Sequence, residues 1–363
     1  STFRDVCAKA FALLQGMNEA QLVAEFSQKR ELGGVEQMPG FGKFYEEIVG
    51  KIAESFWSTC PLPINRLIQD DVTLLIKCCA MDSAYLERQV GHIVHRLSWP
   101  KQFKEIVLSI DSKVGSFLRQ HTVGDLKSLR ASAGRLLEQG VIDRVIEASS
   151  ETSEIIAVNQ RWFGVSSAET HTSSGIPVHS QVWAFDQVST RYVLQADCDV
   201  LVHREDFNHD YLADMLAAHK EVGVLGVGFN IPHPPFSEVK VYQAPLGEFK
   251  PEVRLGLFDL IRLRANLPLP NNLQLDGRLE LGWYQALHRL LKQQGLRCLR
   301  GGDPRTAYIH PLNSAKSSIG FYDKVRRCVE SHQVPSAQYQ KWDLIEEGEK
   351  WLVPYVERNI CII

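Results

Sequence analysis

The chain has 363 residues, with Lys+Arg 40 against Asp+Glu 43 for a formal charge of −3, and is 44% hydrophobic, 23% charged and 9% aromatic. This is the mix of a soluble globular protein of one large domain or about two, which excludes a coiled-coil rod, collagen and global disorder and argues against a basic nucleic-acid coat. No apolar run reaches the ~18 residues of a spanning helix, and Ser1-Thr2-Phe3-Arg4-Asp5 lacks the apolar core of a signal peptide, so the expectation is a cytoplasmic protein without a transmembrane segment.

In chain order, residues 1–70 read as a helical N-terminal extension. Val6, Ala10, Leu13 and Leu14 recur at helical spacing, as do Phe44, Ile48, Ile52 and Phe56. Gly33-Gly34 and Pro39-Gly40 divide the region, and Pro61-Leu62-Pro63 reads as a connector. From Asp71 the pattern changes. The β-branched, apolar run Val72 to Cys79 predicts a buried strand. Met81-Asp82-Ser83 follows, and Leu86, Val90, Ile93, Val94 and Leu97 mark one face of a helix that Pro100 ends. Ile106 to Ile110 predicts a second strand, closed by Asp111-Ser112. Leu126, Leu129, Ala133 and Leu137 mark another helix, and Val145-Ile146 opens a third strand. Strands alternating with helices imply parallel βαβ units and a sheet covered on both faces. Ligands on such sheets bind beyond the C-terminal ends of the strands.

A helix around Val182 to Val188 leads into Arg191 to Val202, a strand interrupted by carboxylates. Tyr211 to His219 reads as helix and Val222 to Phe229 as strand. Val253 to Leu263 starts as strand and then becomes ambiguous. Trp283 to Gln294 reads as a helix stopped by Gly295. Leu296 to Leu299 and Ala307 to Ile309 read as short strands, the last ending at His310-Pro311. Eight cysteines are scattered without a C-x-x-C pair. Their pattern excludes a zinc ribbon and fits a reducing compartment, with Cys78 and Cys79 as small buried hydrophobes.

Asp197-Cys198-Asp199 is the sharpest feature. Carboxylates are rarely buried without a partner, yet two stand one residue apart at the end of a core-like run. Such a pair suits a hard divalent cation, Mg²⁺ or Mn²⁺, shared with phosphate oxygens. A solvated turn is the bland alternative for an isolated D-x-D, and its place late in a βαβ series favours the metal. Gly223, Gly226 and Gly228 form only a partial glycine fingerprint after a helix, which argues against a dinucleotide site. No P-loop, G-x-S-x-G or H-E-x-x-H is present.

The order of these parts resembles the GT-A glycosyltransferases, family 2 in particular, over about Asp71 to Pro311. It comprises a first strand and helix, a second strand ending in Asp111, and a later strand ending in D-x-D. The resemblance implies an α/β, Rossmann-like, mostly parallel sheet with helices on both faces, over residues 71–312. Residues 313–363 would be a C-terminal tail packing on that domain. It also implies a donor nucleotide-sugar, with a UDP-sugar favoured. Asp111 would accept from the nucleobase, with a strand-end aspartate capping the next turn as the alternative; Ala80 and Asp82 would line the nucleotide pocket, and Asp197 and Asp199 would hold the metal. His310 would be a third metal ligand and Lys316 a cation for the leaving diphosphate, against structural-histidine and solvated-loop alternatives.

An inverting transfer also needs a base for the acceptor hydroxyl. The family's Glu-Asp pair heads a helix resembling Trp283 to Gly295, but Trp283-Tyr284 stands in its place. The nearest upstream carboxylates, Asp276 and Glu280, are the expected substitutes, with a helix first-turn charge as the alternative for Glu280. Trp183, Trp283 and Tyr284 are either a sugar platform or core packing. The missing pair keeps open a degenerate nucleotide-binding or scaffolding domain. A sugar-phosphate nucleotidyltransferase would carry a Gly-rich basic loop after the first strand, which Lys77 to Met81 lacks. Glycan, lipid carrier, protein, small molecule and nucleic-acid base all remain possible acceptors, the loops after Asn230 would frame their site, and the oligomeric state is open.

Overall fold

The computed structural model describes residues 68–99, 102–113, 121–234, 237–238, 240–243 and 251–351. The expected helical extension, apart from its last three residues, lies outside them, as does most of the stretch from Gln243 to Lys250. The first strand, β1 (Ile68–Cys79), pairs in parallel with β2 (Gln102–Asp111) on one side and with β4 (Tyr192–Asp197) on the other. β3 (Arg144–Glu147) adds to β2, again in parallel. Side chains alternate along β1 as strand geometry requires. Val72, Leu74 and Ile76 enter one core, and Leu75 enters the core on the opposite face.

The helices divide between those two cores. Helices α1 (Leu86–Leu97) and α2 (Leu126–Glu138) cover the first face. The predicted stripe Leu86, Val90, Ile93, Val94 and Leu97 is buried on α1, and Asp125 caps α2 by accepting the Ser128 N–H at 2.9 Å. The second face carries α3 (Thr152–Phe163) and α4 (His179–Asp186). No strand or helix was predicted at α3. Its apolar positions Ile155, Val158, Trp162 and Phe163 are buried, and Gly164 ends it in the left-handed conformation.

After β4 the chain turns at Asp197–Val200 into β5 (Leu201–Arg204), and α5 (Tyr211–Ala218) returns it to β6 (Val224–Gly228). The short β7 (Lys240–Gln243) forms one edge of the sheet. β8 (Leu255–Asp259) then inserts between β4 and β6 and runs antiparallel to both. The ambiguous stretch from Val253 to Leu263 resolves here, because Asp259 accepts the Ile261 and Arg262 N–H groups and starts α6 (Leu260–Ala265). Helix α7 (Trp283–Gln294) precedes β9 (Arg297–Gly302), which is parallel to β6. β10 (Thr306–Ile309) pairs with β5 in a separate two-stranded sheet. Helices α8 (Asn313–Ser317) and α9 (Ile319–Glu330) follow, with Tyr322, Val325 and Val329 of α9 in the first core.

The main sheet has eight strands in the order β3-β2-β1-β4-β8-β6-β9-β7. It is the expected α/β architecture, a mostly parallel sheet with helices on both faces. The antiparallel β8 decides what reaches the site. Its first residue, Leu255, lies opposite Ala196 at the end of β4. The segment just before it, 251–254, is thereby delivered to the C-terminal ends of β1 and β4.

Candidate active site

A cleft of about 730 Å³ opens over those strand ends. Asp111, Asp197, Asp199, His310 and Lys316 line it together, although up to 205 residues separate them in sequence. Asp111 closes β2, Asp197 closes β4, Asp199 lies in the turn that follows, His310 follows β10 and Lys316 lies on α8.

The floor holds two ion pairs. Lys77 and Asp197 are register partners on β1 and β4, so their side chains leave the sheet on the same face. Lys77 Nζ stands 2.7 Å from Asp197 Oδ1 and donates to the Val253 carbonyl at 2.9 Å. Lys316 Nζ donates to Asp199 Oδ2 at 2.9 Å, with both side chains buried. Burial raises the Asp197 carboxyl above its ordinary value, and Lys77 offsets only part of that. Burial also acts to raise Asp199, but Lys316, followed by His310 and Arg254, outweighs it and holds this carboxyl at about 2. The other Asp199 oxygen, Oδ1, is buried without a hydrogen-bond partner. Tyr322 fixes the turn from behind by donating to the Asp199 carbonyl at 2.5 Å.

On the nucleotide side of the expected pocket, Asp111 Oδ1 accepts the Lys113 N–H at 3.0 Å and Oδ2 accepts the Ser180 hydroxyl at 2.8 Å. Burial raises its carboxyl, partly countered by those hydrogen bonds. Each oxygen retains a lone pair for a further donor. Asp82 also lines the cleft, but it takes the Cys79 N–H at 2.8 Å and the Tyr85 hydroxyl at 2.5 Å. These bonds tie the end of β1 to α1. Ala80 is not among the residues that line the cleft. Its carbonyl takes the Asp125 N–H, and its side chain abuts Gly124, where an added Cβ would fall 2.6 Å away.

His310 Nδ1 and Asp343 Oδ1 lie 2.9 Å apart, a contact that orients the ring and leaves Nε2 as its other nitrogen. Among the described residues no group of three His, Cys, Asp or Glu side chains stands close enough together to hold a metal ion. The donor set still suits a hard cation. It has two carboxylates, one with an unpartnered buried oxygen, and a strand-end histidine already held by a carboxylate. In this arrangement the two lysines supply the positive charge beside the D-x-D.

Neither Asp276 nor Glu280 is among the residues that line the cleft. Asp276 is exposed and caps its own turn by accepting the Arg278 N–H at 3.0 Å. Glu280 is held by Asn272 at 2.9 Å and Arg289 at 3.3 Å. Trp183 is core, with its indole N–H on Glu154 at 2.7 Å. Trp283 is core-packed and also reaches the cleft. It packs edge-on against Phe185 and Phe258, and it forms part of the cleft wall beside Tyr284.

Sequence reasoning missed Lys77, Glu252, Arg254, Arg300 and Asp343, all of which line the cleft. Lys77 had a signal, a lone charge inside the apolar run of β1. Glu252 pairs with Arg300, accepts the Tyr308 hydroxyl at 2.7 Å, and holds the Arg254 N–H at 2.8 Å. Arg300 also stacks 3.4 Å over the Trp342 ring. Nothing local marks that cluster, because β8, β9 and the 336–351 segment bring it together.

No family model matches the sequence, and no curated protein does. Among solved structures, residues 1–349 of TarS from S. aureus align at 14% identity and TM-score 0.38, over 72% of this chain and 68% of that one. This chain spans only 39% of a longer TarS chain. Glucosyl-3-phosphoglycerate synthase from Mycobacterium tuberculosis, solved with Mn²⁺, UDP and glucosyl-3-phosphoglycerate, aligns at 11% identity and TM-score 0.35, over 71% and 80%. The 4-diphosphocytidyl-2C-methyl-D-erythritol synthase of Anaerococcus prevotii aligns at 11% and 0.34, over 72% and 99%. Values this low say nothing of what this chain binds. Among the described residues, no helix is long and apolar enough to cross a membrane.

Proposed function

We propose that the chain is a glycosyltransferase that moves a sugar from a nucleotide-sugar, a UDP-sugar in our reading, to an acceptor hydroxyl. The observation that carries this reading is the convergence of Asp111, Asp197, Asp199, His310 and Lys316 on one cleft at the strand ends. Asp111 accepts a base N–H, as a uracil ring offers. Lys316 meets the diphosphate as a mobile point charge. Asp199, with its spare oxygen, and Asp197 beside it would hold a divalent cation, Mn²⁺ or Mg²⁺, shared with the diphosphate oxygens, and it would neutralise charge growing on the leaving diphosphate. Trp283 and Tyr284 wall the side on which the sugar and acceptor must lie.

Helix α7 has no acidic residue in its first turn. An inverting displacement would therefore draw its base from another cleft carboxylate. Asp343, with 52% of its side chain exposed, is the most open of those with an ion-pair partner. The same feature of α7 favours the second reading, a domain that binds the nucleotide-sugar without turning it over.

The test is a thermal-shift panel of nucleoside diphosphates and nucleotide-sugars with and without Mn²⁺, followed by donor hydrolysis. A ligand at 100 times its dissociation constant adds about 2.7 kcal/mol. Metal-dependent stabilisation by uridine nucleotides with hydrolysis supports the enzyme, stabilisation without hydrolysis supports the second reading, and no response to any nucleotide sinks both.

A further inference from the structure

The D-x-D is already neutralised from within the chain, and its two counter-ions are held differently. Lys77 is a strand residue gripped by two acceptors, Asp197 and the Val253 carbonyl. Lys316 lies on a five-residue helix, and its one acceptor among the described residues is Asp199. The Asp199 backbone carbonyl is held by the Tyr322 hydroxyl, which fixes the carboxylate's anchor point while the long lysine side chain keeps its own torsional freedom. The spare oxygen, Asp199 Oδ1, is buried without a hydrogen-bond partner beside that ammonium.

From this geometry we infer that Lys316 is an exchangeable counter-ion that keeps a divalent cation off Asp199 until a nucleoside diphosphate draws the lysine away. The inference rests on the nucleotide-sugar reading for the identity of the diphosphate, but its metal arm does not need the nucleotide. A cation arriving alone meets an ammonium 2.9 Å from the carboxylate it must bind, and like charges at that range repel. A diphosphate offers the ammonium a richer set of acceptors, and Lys316 has three N–H donors to give. Its departure leaves Asp199 with an uncompensated buried charge, which a divalent cation then satisfies. Metal and diphosphate therefore load together. Because linkage is reciprocal, each must raise the affinity of the other by the same factor.

The experiment titrates Mn²⁺ by electron paramagnetic resonance into the wild type, Lys316→Gln and Lys316→Arg, without nucleotide and with saturating UDP. UDP binding is measured in parallel by calorimetry in EDTA. Without nucleotide, Lys316→Gln should bind Mn²⁺ at least tenfold more tightly than the wild type, and Lys316→Arg, which keeps the charge, should not. With UDP present the wild type should close most of that gap. Mn²⁺ should also raise the melting temperature of Lys316→Gln more than that of the wild type, a readout that shows at once that the variant is folded. Equal Mn²⁺ affinity of wild type and Lys316→Gln without nucleotide overturns the exchange and leaves the metal reading standing. No Mn²⁺ binding by any of the three overturns both. UDP that binds none of them, with the tenfold difference intact, overturns the uridine assignment and supports the exchange.

Discussion

Two aspartates one residue apart behave differently because their cations differ. Asp197 is partly exposed and its lysine belongs to a strand, whereas Asp199 is nearly enclosed and its lysine comes from the C-terminal helices. Asp199→Asn should therefore abolish Mn²⁺-dependent UDP binding. It should also lower the melting temperature by a few degrees, since it leaves Lys316 buried beside a neutral amide. Calorimetry and a melting curve on one preparation check both, and undiminished metal-dependent binding would refute the assignment. Asp111→Ala removes an acceptor already oriented by Ser180 and the Lys113 N–H. The loss of one hydrogen bond to a carboxylate predicts roughly tenfold weaker UDP binding, about 1.4 kcal/mol. Adenine nucleotides should be unaffected by that change.

Among the elements, α7 lines the cleft directly and β8 holds the segment 251–254 that lines it. Trp283 is 3% exposed and meets two core rings at 5.3 and 5.5 Å. Trp283→Ala should cost about 3–5 kcal/mol of stability, whereas Tyr284→Ala should leave the melting temperature within a degree or two and act on the acceptor KM. A urea melt beside a kinetic assay separates the two. On β8, a Cβ at Gly256 would fall 2.8 Å from the Glu252 carbonyl oxygen. Gly256→Ala must push away the segment that holds Arg254, so it should lower both stability and turnover. An unchanged urea midpoint would contradict that. The partial fingerprint around Gly226 has a packing cause too, because the Phe258 ring lies 2.8 Å from where its Cβ would sit.

For the whole molecule, buried histidines set the acid limit. Burial holds His171 and His203 at about 3 and His219 at about 4. The unfolded chain takes up these protons near pH 6.5 and the folded chain does not, so stability is complete above that value and falls as the pH drops below it. By pH 5.5 each such group costs about 1.4 kcal/mol. The melting temperature should drop sharply between pH 7.5 and 5.5, and His219→Gln should flatten the slope. His219 donates to the Leu257 carbonyl at 3.0 Å, a bond glutamine can replace. A pH-independent melting temperature over that range would count against it.

Whatever rests on local pattern was legible in the amino-acid sequence. The apolar alternation of β1, the stripe on α1, the carboxylates ending β2 and β4 and the histidine ending β10 are all legible one segment at a time. They suffice for the fold class and for several of the residues that line the cleft. Whatever depends on strand direction and long-range register emerged only from the folded chain. The antiparallel insertion of β8 brings Glu252 and Arg254 to the site, register sets Lys77 against Asp197, and α8 delivers Lys316 onto Asp199. The same long-range folding leaves Asp276 and Glu280 on a hairpin beyond the cleft. Periodicity records which face of an element is buried, but not which distant charge it will be buried against, and here that pairing governs the chemistry.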